Sequence, residues 1–288
     1  MNQGKAMRTR NGIDVLMITY NRPSYTRLAL SELLDRSQPD TRVWVWHNGS
    51  DPETLAVVES FRPRLHRFHH SHENVRLTKP INWLFENADG AYLSKVDDDC
   101  IVPREWDVKL VQAHSDEPRF GVLGCWRFPD EDFEPELAER KIQTFQGGHK
   151  LLVNLWVEGS GFLLKRACVD KLGPLTEGRS FPDYCIEIGR SGWTNGWLYP
   201  FLYQEHMDDP RAEHSALRTD ADLARFLPLS AAKNGVNTIE AWVAQLKRSA
   251  RIVQSAPIDP AYWSPARRRF RNMFKKLTRA FTGEVGYW

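Results

Sequence analysis

The stretch AYLSKVDDDCIVP (residues 91–103) places three consecutive aspartates directly after an apolar run that is typical of a buried β-strand. Because side chains alternate along a strand, Asp97 and Asp99 are predicted to point to one side and Asp98 to the other. Two carboxylates that converge on one point need a cation, and Mg²⁺ or Mn²⁺ prefers such oxygen ligands and binds substrate phosphates. We therefore predict a metal that carries a diphosphate. The alternatives are a solvated acidic loop and an N-cap cluster for the next helix.

The chain around this stretch alternates between β-rich apolar runs and amphipathic segments. The predicted strands up to the aspartates are IDVLMITY (13–20), RVWVW (42–46), RFHH (67–70) and AYLSKV (91–96). Helices are predicted between them, the second starting at a capping box from Ser50 to Glu53 and the third stopping at Gly90. The resulting β-α-β-α-β-α-β order predicts an α/β protein with a mainly parallel sheet.

Polar clusters follow three of these strands, at residues 19–22, 47–50 and 97–99. Ligands of open α/β sheets bind outside the carboxyl ends of the strands. Since the carboxyl ends of parallel strands meet at one edge, the three clusters are predicted to converge there on a single ligand.

The second half of the chain is predicted to continue this domain and then to turn helical. A polar excursion covers 128–150, and the pattern is helical beyond about residue 215. We expect a catalytic domain over 1–215 and a helical C-terminal extension over 216–288. Its last segment, RRRFRNMFKKLTRAF (267–281), is basic and amphipathic. It is predicted either to lie on an anionic membrane surface or to pack on the domain with a solvated basic face.

Bulk composition restricts the classes of function. The formal net charge of the 288 residues is +2, so no overall positive field indicates nucleic acid as a partner. The four cysteines are widely spaced and are predicted to be free thiols. There is no long apolar run and no N-terminal signal-like segment. We therefore expect a cytoplasmic protein, peripheral at the inner face of the membrane if the terminal segment binds lipid.

The order of the motifs resembles that of family-2 glycosyltransferases of the GT-A fold. The motifs are TYNRP, NGS, DDD, GSGFLLKR and FPD, and the resemblance covers about residues 12 to 210. It implies a Rossmann-like α/β/α sandwich that binds a nucleotide-diphosphate sugar. It also implies metal-dependent transfer of that sugar, with inversion, to a hydroxyl of a glycan or a lipid-linked acceptor.

The resemblance implies roles for several residues at the donor site. Those implied to bind the nucleotide sugar are Thr19, Tyr20, Arg22, Asn48, Lys79, Asn82, Asp97, Asp98 and Gly161. Tyr20 can stack on a base and Arg22 can pair with phosphate. The family usually has an aspartate where His47 and Asn48 stand, so the base is left open, with Asp51 as a possible substitute.

The resemblance also implies the metal ligands and the catalytic base. Asp97, Asp99 and His206 would hold Mn²⁺ or Mg²⁺. Asp183 would be the general base, although Pro182 replaces the acid that usually precedes it, and its alternative role is a helix cap. Asp208 and Asp209 are expected to be surface acids. The alternative functions are a nucleotidyltransferase that makes nucleotide sugars and an inactive glycan-binding protein.

Overall fold

A nine-stranded mixed sheet forms the centre of the computed structural model, which describes residues 12–264. The strands of the chain are β1 (Ile13–Thr19), β2 (Arg42–Asn48), β3 (Arg67–Ser71), β4 (Tyr92–Asp97), β5 (Cys100–Ile101), β6 (Phe120–Gly124), β7 (Ile142–Thr144), β8 (Lys150–Val153), β9 (Phe162–Lys165), β10 (Thr194–Tyr199) and β11 (Glu205–His206). The sheet order is β3-β2-β1-β4-β9-β6-β10-β8-β7, and β5 and β11 form a separate two-stranded ribbon.

The first four strands run parallel, as the alternating pattern predicts. The antiparallel strand β9 lies between β4 and β6 and pairs with both. Beyond β6, strand β10 is again parallel to it, and β8 and β7 extend the edge in antiparallel fashion. The predicted α/β class with a mainly parallel sheet is thus confirmed, and the excursion at 128–150 contributes an edge strand.

Helices cover both faces of the sheet. They are α1 (Pro23–Arg36), α2 (Pro52–Ser60), α3 (Thr78–Asn87), α4 (Trp106–Asp116), α5 (Pro135–Ala138), α6 (Arg166–Leu172), α7 (Phe181–Arg190), α8 (Asp220–Phe226), α9 (Leu229–Lys233) and α10 (Ile239–Ser255). Every side chain of β1 is buried. Val15 and Met17 belong to one core cluster and Leu16 and Ile18 to another, so the strand supplies the cores of both faces.

Two helix boundaries differ from the sequence predictions. Helix α2 is capped by Asp51, whose carboxylate accepts from the amide of Thr54 at 2.8 Å, instead of by Ser50. Helix α3 ends at Asn87, three residues before Gly90, where the Arg166 guanidinium donates to carbonyl oxygens of its last turn.

Gly90 has a different role, which depends on buried Asp14. The Asp14 carboxylate accepts from Arg42, from the Trp44 indole and from the Gly90 amide, each within 2.8 Å. A Cβ at Gly90 would lie 2.7 Å from the Asp14 carboxylate. Burial alone would raise the pKa of Asp14, but these donors lower it below its usual value.

The C-terminal helices join the domain through α10. Its Ala250 and Val253 belong to the core cluster on one face of the sheet. Helices α8 and α9 form a small satellite core with Trp242 and Leu246 of α10. The proposed division at residue 216 stays a prediction, and the basic segment at 267–281 lies outside the described residues. Within residues 12–264, no helix is long and apolar enough to cross a membrane.

Candidate active site

The acidic triplet lies at the carboxyl edge of the sheet, covered by the β5–β11 ribbon. Strand β4 ends at Asp97, and a turn at Asp98 and Asp99 leads into β5. The ribbon pairs Cys100 with His206, and the Met207 amide donates to the Asp99 carbonyl at 2.8 Å. This pairing brings the HMDD segment (residues 206–209), which begins in β11, onto the triplet.

The three aspartates face three different sets of partners. Because Asp98 and Asp99 form a turn, strand alternation does not extend to Asp99. Asp97 pairs with buried Lys95. The Asp99 carboxylate lies 3.6 Å from the Arg22 guanidinium and 3.9 Å from Nε2 of His206.

Asp98 connects the triplet to the TYNR turn after β1. Its carboxylate accepts from the Tyr20 amide and from the Thr26 hydroxyl, both at 3.1 Å. The family resemblance implied that Asp98 binds the nucleotide sugar. In the structure, its recorded hydrogen bonds hold two segments of the site together.

Asp208 belongs to this site, which corrects the expectation that Asp208 and Asp209 are surface acids. Both carboxylates are buried. Asp208 accepts two hydrogen bonds from Arg22, at 2.8 and 3.0 Å, and Asp209 pairs with Arg211. Acids are usually exposed unless they have partners. Arg22 lies too far along the chain from Asp208 for local sequence to indicate the pair, whereas Arg211 is close to Asp209 in the sequence.

The carboxylates outnumber the cations that neutralise them. Burial and the neighbouring Asp99 raise the pKa of Asp98 to about 7 and that of Asp208 to about 8. Burial alone would raise the pKa of Asp99 as well, but His206 and Arg22 lower it to about 2. A divalent cation would relieve this repulsion. The donor atoms of Asp99, Cys100 and His206 lie within 4.8 Å of one another. The Asp99 carboxylate is the kind of ligand that Mn²⁺ and Mg²⁺ prefer, and burial raises the pKa of the Cys100 thiol, which keeps it protonated.

His206 is oriented by Arg127, a residue that sequence analysis did not identify. The Arg127 guanidinium lies 3.3 Å from Nδ1 of His206 and 3.2 Å from Glu158. An arginine can only donate, so Nδ1 accepts and Nε2 carries the proton in the neutral ring. Burial and the Arg127 charge lower the pKa of His206 to about 4. Metal ligation through Nε2 would require this arrangement to change.

The residues after β1 and β2 form the opposite side of the edge. Tyr20 is 37% exposed, and its ring lies against Gly49, where a Cβ would approach it to 3.1 Å. Thr19 is buried and its hydroxyl is 3.0 Å from Nδ1 of His47. Tyr20 therefore offers a ring face to a ligand, whereas Thr19 supports His47 beneath it.

Asn48 and Asn82 hold loops that border this edge. The Asn48 side chain bonds the Asn74 side chain and the backbone at 75 and 76, at 2.8 to 3.1 Å. Asn82 donates to the carbonyl of Leu175 and accepts from its amide, at 2.9 and 2.8 Å. Lys79 is exposed at the start of α3. The two asparagines thus act on loop shape in this structure.

Gly161 lies directly beside the triplet and has no room for a side chain. Its amide donates to the Lys95 carbonyl at 2.8 Å, and its φ is +62°. A Cβ there would overlap the Oε1 atom of buried Gln204. The neighbouring Ser160 hydroxyl accepts from the Asp97 amide at 2.9 Å. Close packing against Gln204 therefore accounts for glycine at 161.

Asp183 occupies the first turn of α7, where Ser180 is the N-cap. The Asp183 carboxylate accepts from the Ser180 amide and hydroxyl, at 3.2 and 2.8 Å, and completes a capping box. The Phe181 ring stacks on Phe162 at 4.1 Å. Since Phe162 follows Gly161 directly, this stacking holds the start of α7 near the carboxyl edge of the sheet.

Sequence comparison relates the chain to one family. Residues 14–173, more than half of the chain, match glycosyl transferase family 2. The succinoglycan biosynthesis protein ExoM of Rhizobium meliloti (strain 1021) is 29% identical over 194 residues, which are 62% of this chain and 57% of ExoM. Protein CgeD of Bacillus subtilis (strain 168) is 25% identical over 114 residues, 37% of this chain and 27% of CgeD. The chain thus spans less than two thirds of each relative.

Solved structures share the fold. Mannosyltransferase PcManGT from Pyrobaculum calidifontis, in complex with GDP-Man and Mn²⁺, matches with a TM-score of 0.58 and 17% identity over 97% of this chain and 85% of that one. S. aureus TarS 1-349 in complex with UDP-GlcNAc matches with a TM-score of 0.52 and 15% identity over 91% of this chain and 92% of that one. These likenesses confirm the predicted GT-A type fold.

Proposed function

The chain belongs to glycosyl transferase family 2, and we propose that it transfers a sugar from a nucleotide-diphosphate donor to a hydroxyl group of an acceptor. One observation carries the proposal: Tyr20 and Arg22, the acidic triplet, and the HMDD segment meet at the carboxyl edge of the sheet. An aromatic face, a guanidinium and a group of carboxylates are what a base, a diphosphate and a divalent cation require.

The donor would lie across this edge, with its base toward Tyr20 and its diphosphate toward Arg22. The proposed donor site is completed by Thr19, Asn48, Lys79 and Asn82. Of these, Thr19, Asn48 and Asn82 support the residues and loops around the site. Gly161 and the adjacent backbone would border the sugar. The GDP-Man and UDP-GlcNAc bound by the structural relatives are examples of such donors.

We propose that Asp99, Asp97 and His206 hold Mn²⁺ or Mg²⁺, with Asp208 as a further carboxylate beside them. The structural relative PcManGT was solved with Mn²⁺. When bound, the ion would neutralise charge that develops on the leaving diphosphate. Arg22 would also supply positive charge to the leaving diphosphate. To do so, its guanidinium must leave Asp208 and pair with phosphate.

Asp183 is the proposed general base. Its carboxylate would take the proton of the acceptor hydroxyl as that oxygen forms a bond to the anomeric carbon. The bond from the anomeric carbon to the diphosphate oxygen breaks with its electron pair on the diphosphate. A single displacement of this kind inverts the anomeric configuration. Glu187, one helical turn further along α7, is the second candidate, and its carboxylate pairs with Arg190 at 3.0 Å.

The acceptor is proposed to be a glycan or a lipid-linked acceptor. The relative ExoM is a succinoglycan biosynthesis protein. This likeness supports the proposal that the chain acts in polysaccharide synthesis. A cytoplasmic location and contact of the terminal basic segment with the membrane remain predictions.

Measurements of donor turnover distinguish sugar transfer from the two alternative functions. Family membership disfavours a nucleotidyltransferase, which would instead release pyrophosphate from a nucleoside triphosphate and a sugar phosphate. An inactive glycan-binding protein would not hydrolyse or transfer from any donor.

The test is a screen of nucleotide-diphosphate sugars for metal-dependent thermal stabilisation, followed by product analysis. A ligand that binds the folded state raises the melting temperature. We expect one donor class to stabilise the protein with Mn²⁺ and not with EDTA, and Asp99→Asn to abolish that difference. Donor turnover without stabilisation by metal would contradict the metal site, and no binding of any donor would contradict the function. The anomeric configuration of the product, read by NMR, tests inversion.

A further inference from the structure

A buried serine completes the hydrogen bonding of β4 at the point where the strand reaches the first aspartate of the triplet. Strand β9 pairs with β4 only at the first two residues of β4. Beyond them, the Gly161 amide donates to the Lys95 carbonyl at 2.8 Å. The Asp97 amide lies past this ladder, and the Ser160 hydroxyl accepts its hydrogen bond at 2.9 Å. Backbone amides inside a fold need such a partner, so Ser160 fixes the backbone from which the Asp97 carboxylate extends.

Gln204 holds the Ser160 hydroxyl in this position. Its side-chain amide donates to Oγ of Ser160 at 3.3 Å, and its backbone amide donates to the Trp126 carbonyl at 2.7 Å. Gln204 is fully buried, and its Oε1 atom lies in the space that a Cβ of Gly161 would occupy. Because Oε1 faces Gly161, Nε2 faces the serine. The glutamine is thus anchored at both ends, in the segment that leads into β11.

A second set of contacts leads from Ser160 to Asp99. Burial and the neighbouring Asp99 raise the pKa of the Cys100 thiol, and a hydrogen bond from Ser160 lowers it. The thiol in turn donates to the Asp99 carboxylate at 3.3 Å. One hydroxyl can serve both sides, because it accepts through its lone pairs and donates through its proton. Ser160 therefore contacts the backbone of Asp97 and, through Cys100, the carboxylate of Asp99.

We propose that Ser160 and Gln204 are positioning residues, which hold Asp97 and Asp99 in the geometry that a divalent cation requires. The inference rests on the proposed metal-dependent function, and it concerns two residues that would not touch the ion. Groups that hold metal ligands in place set the orientation of those ligands, and their loss typically lowers metal affinity by about tenfold to a hundredfold. If Ser160 served only to satisfy a backbone amide, its loss would lower stability and leave metal affinity unchanged.

A buried serine in the same strand provides a matched control. Ser94 of β4 is 1% exposed, and its hydroxyl has no hydrogen-bond partner among residues 12–264. Ser94→Ala therefore removes a buried hydroxyl from the strand that ends at Asp97 without removing a hydrogen bond of the site. We expect this variant to bind Mn²⁺ as tightly as the original protein does.

The test measures the binding of Mn²⁺ to the full chain through the loss of the free-ion signal in electron paramagnetic resonance. Ser160→Ala is expected to lower the affinity for Mn²⁺ by about tenfold or more, and Gln204→Met by a smaller factor. Thermal unfolding in EDTA gives the stability of each variant separately. A Ser160→Ala protein that is less stable but binds Mn²⁺ as tightly as Ser94→Ala does would overturn the proposal.

Two substitutions at Cys100 test the contact with Asp99 and leave Ser160 in place. Cys100→Ser keeps a donor for the Asp99 carboxylate, whereas Cys100→Ala removes it. We expect the serine variant to retain its affinity for Mn²⁺ and the alanine variant to lose about tenfold. Together with Gln204→Met, this pair decides the question if Ser160→Ala does not fold, and equal affinities in all three variants would then overturn the proposal.

The outcome for the original protein separates this inference from the proposed function. If the original protein binds no Mn²⁺, the proposed metal site fails and the positioning role fails with it. If it binds Mn²⁺ and the variants bind equally well, only the positioning role is refuted.

Discussion

Arg22 and Asp208, which lie 186 positions apart in the chain, form a bidentate ion pair with N–O distances of 2.8 and 3.0 Å at the centre of the candidate active site. The same guanidinium lies 3.6 Å from Asp99. Arg22 therefore contacts two of the acids that a divalent cation would also contact.

Removal of Arg22 should destabilise the metal-free protein. Arg22→Met leaves Asp99 and Asp208 buried without their cation, and we expect a loss of about 2 kcal/mol in the free energy of unfolding. Urea denaturation in EDTA measures it. Arg64→Met, which breaks a pair with Asp35 in which both side chains are about half exposed, should cost less than about 1 kcal/mol. Equal losses for the two variants would show that the buried pair contributes no more to the free energy of unfolding than the exposed pair does.

Binding of Mn²⁺ should release protons and strengthen as pH rises. The pKa of Asp208 is raised to about 8 by burial and Asp99, and that of Asp98 to about 7, so protons occupy these groups at about pH 6. The same raised pKa values mean that the folded state binds more protons than the unfolded state between about pH 4 and about pH 8, so these acids make the protein lose stability as pH rises through that range.

Calorimetric titration of Mn²⁺ in buffers of different ionisation enthalpy gives the number of protons released. We expect fewer with Asp208→Asn. An affinity that is independent of pH over this range would contradict the protonated state of these acids.

Gly161→Ala should destabilise the protein by about 2 to 3 kcal/mol. The added Cβ overlaps the Gln204 side chain, and the left-handed φ of +62° disfavours any residue with a Cβ. Gln204→Ala in the same chain should recover the part that is due to overlap.

Gly159→Ala is the matched control, because a Cβ there would meet no atom within 4 Å. It should change the free energy of unfolding by less than about 0.5 kcal/mol. Thermal or urea unfolding distinguishes the three variants, and a fully tolerated alanine at 161 would refute the packing argument.

Asp183→Asn should lower the rate of sugar transfer by about a hundredfold to ten-thousandfold, because the acceptor proton loses its base. Loss of the cap alone has a separate signature. Ser180→Ala removes the N-cap hydrogen bond, costing about 1 kcal/mol of stability, while the carboxylate stays. Comparable turnover in the two variants would show that Asp183 acts only in the capping box.

Stability should depend on pH through Lys141, far from the triplet. Burial lowers the pKa of Lys141 to about 7, from 10.5 in an exposed lysine. Its ammonium donates to Val253 and Asn154, at 2.7 and 3.2 Å. Above about pH 7 the unfolded state binds more protons at this group than the folded state does, so its contribution to stability rises with pH.

Lys141→Met should remove that rise. The difference in unfolding free energy between the original protein and the variant should grow by about 1 kcal/mol in the first pH unit above 7. Lys109→Met, on the exposed face of α4, controls for the loss of a lysine. A constant difference across this range would mean that Lys141 keeps its proton in the fold.

The pattern of apolar residues predicted the first four strands and the helices between them. Each buried strand is a continuous apolar run, and each helix carries apolar residues along one face. This pattern did not predict the position of β9, since strand order depends on pairing between distant segments. The resemblance to family-2 glycosyltransferases implied that Arg22, Asp99 and His206 belong to one site, and the structure brings them together.

Asp208 was missed for a physical reason. A pair of acids before a proline is typical of a surface turn. Asp208 is nevertheless buried, because Arg22 pairs with its carboxylate and the β5–β11 ribbon holds its segment at the site. Arg127 was missed likewise, because its contact with His206 spans 79 positions. The sequence signal that was present is the position of the HMDD segment a short loop after β10, at the edge of the sheet where the triplet lies.

The place of β9 between β4 and β6 has a consequence for synthesis of the chain. Strands β4 and β6 emerge from the ribosome first and never pair with each other, so each presents an open edge until β9 is made. Unpaired strand edges are sites of aggregation in nascent chains. Translation that stalls before β9 should therefore yield a chaperone-bound, aggregation-prone intermediate, whereas a stall after β10 should not.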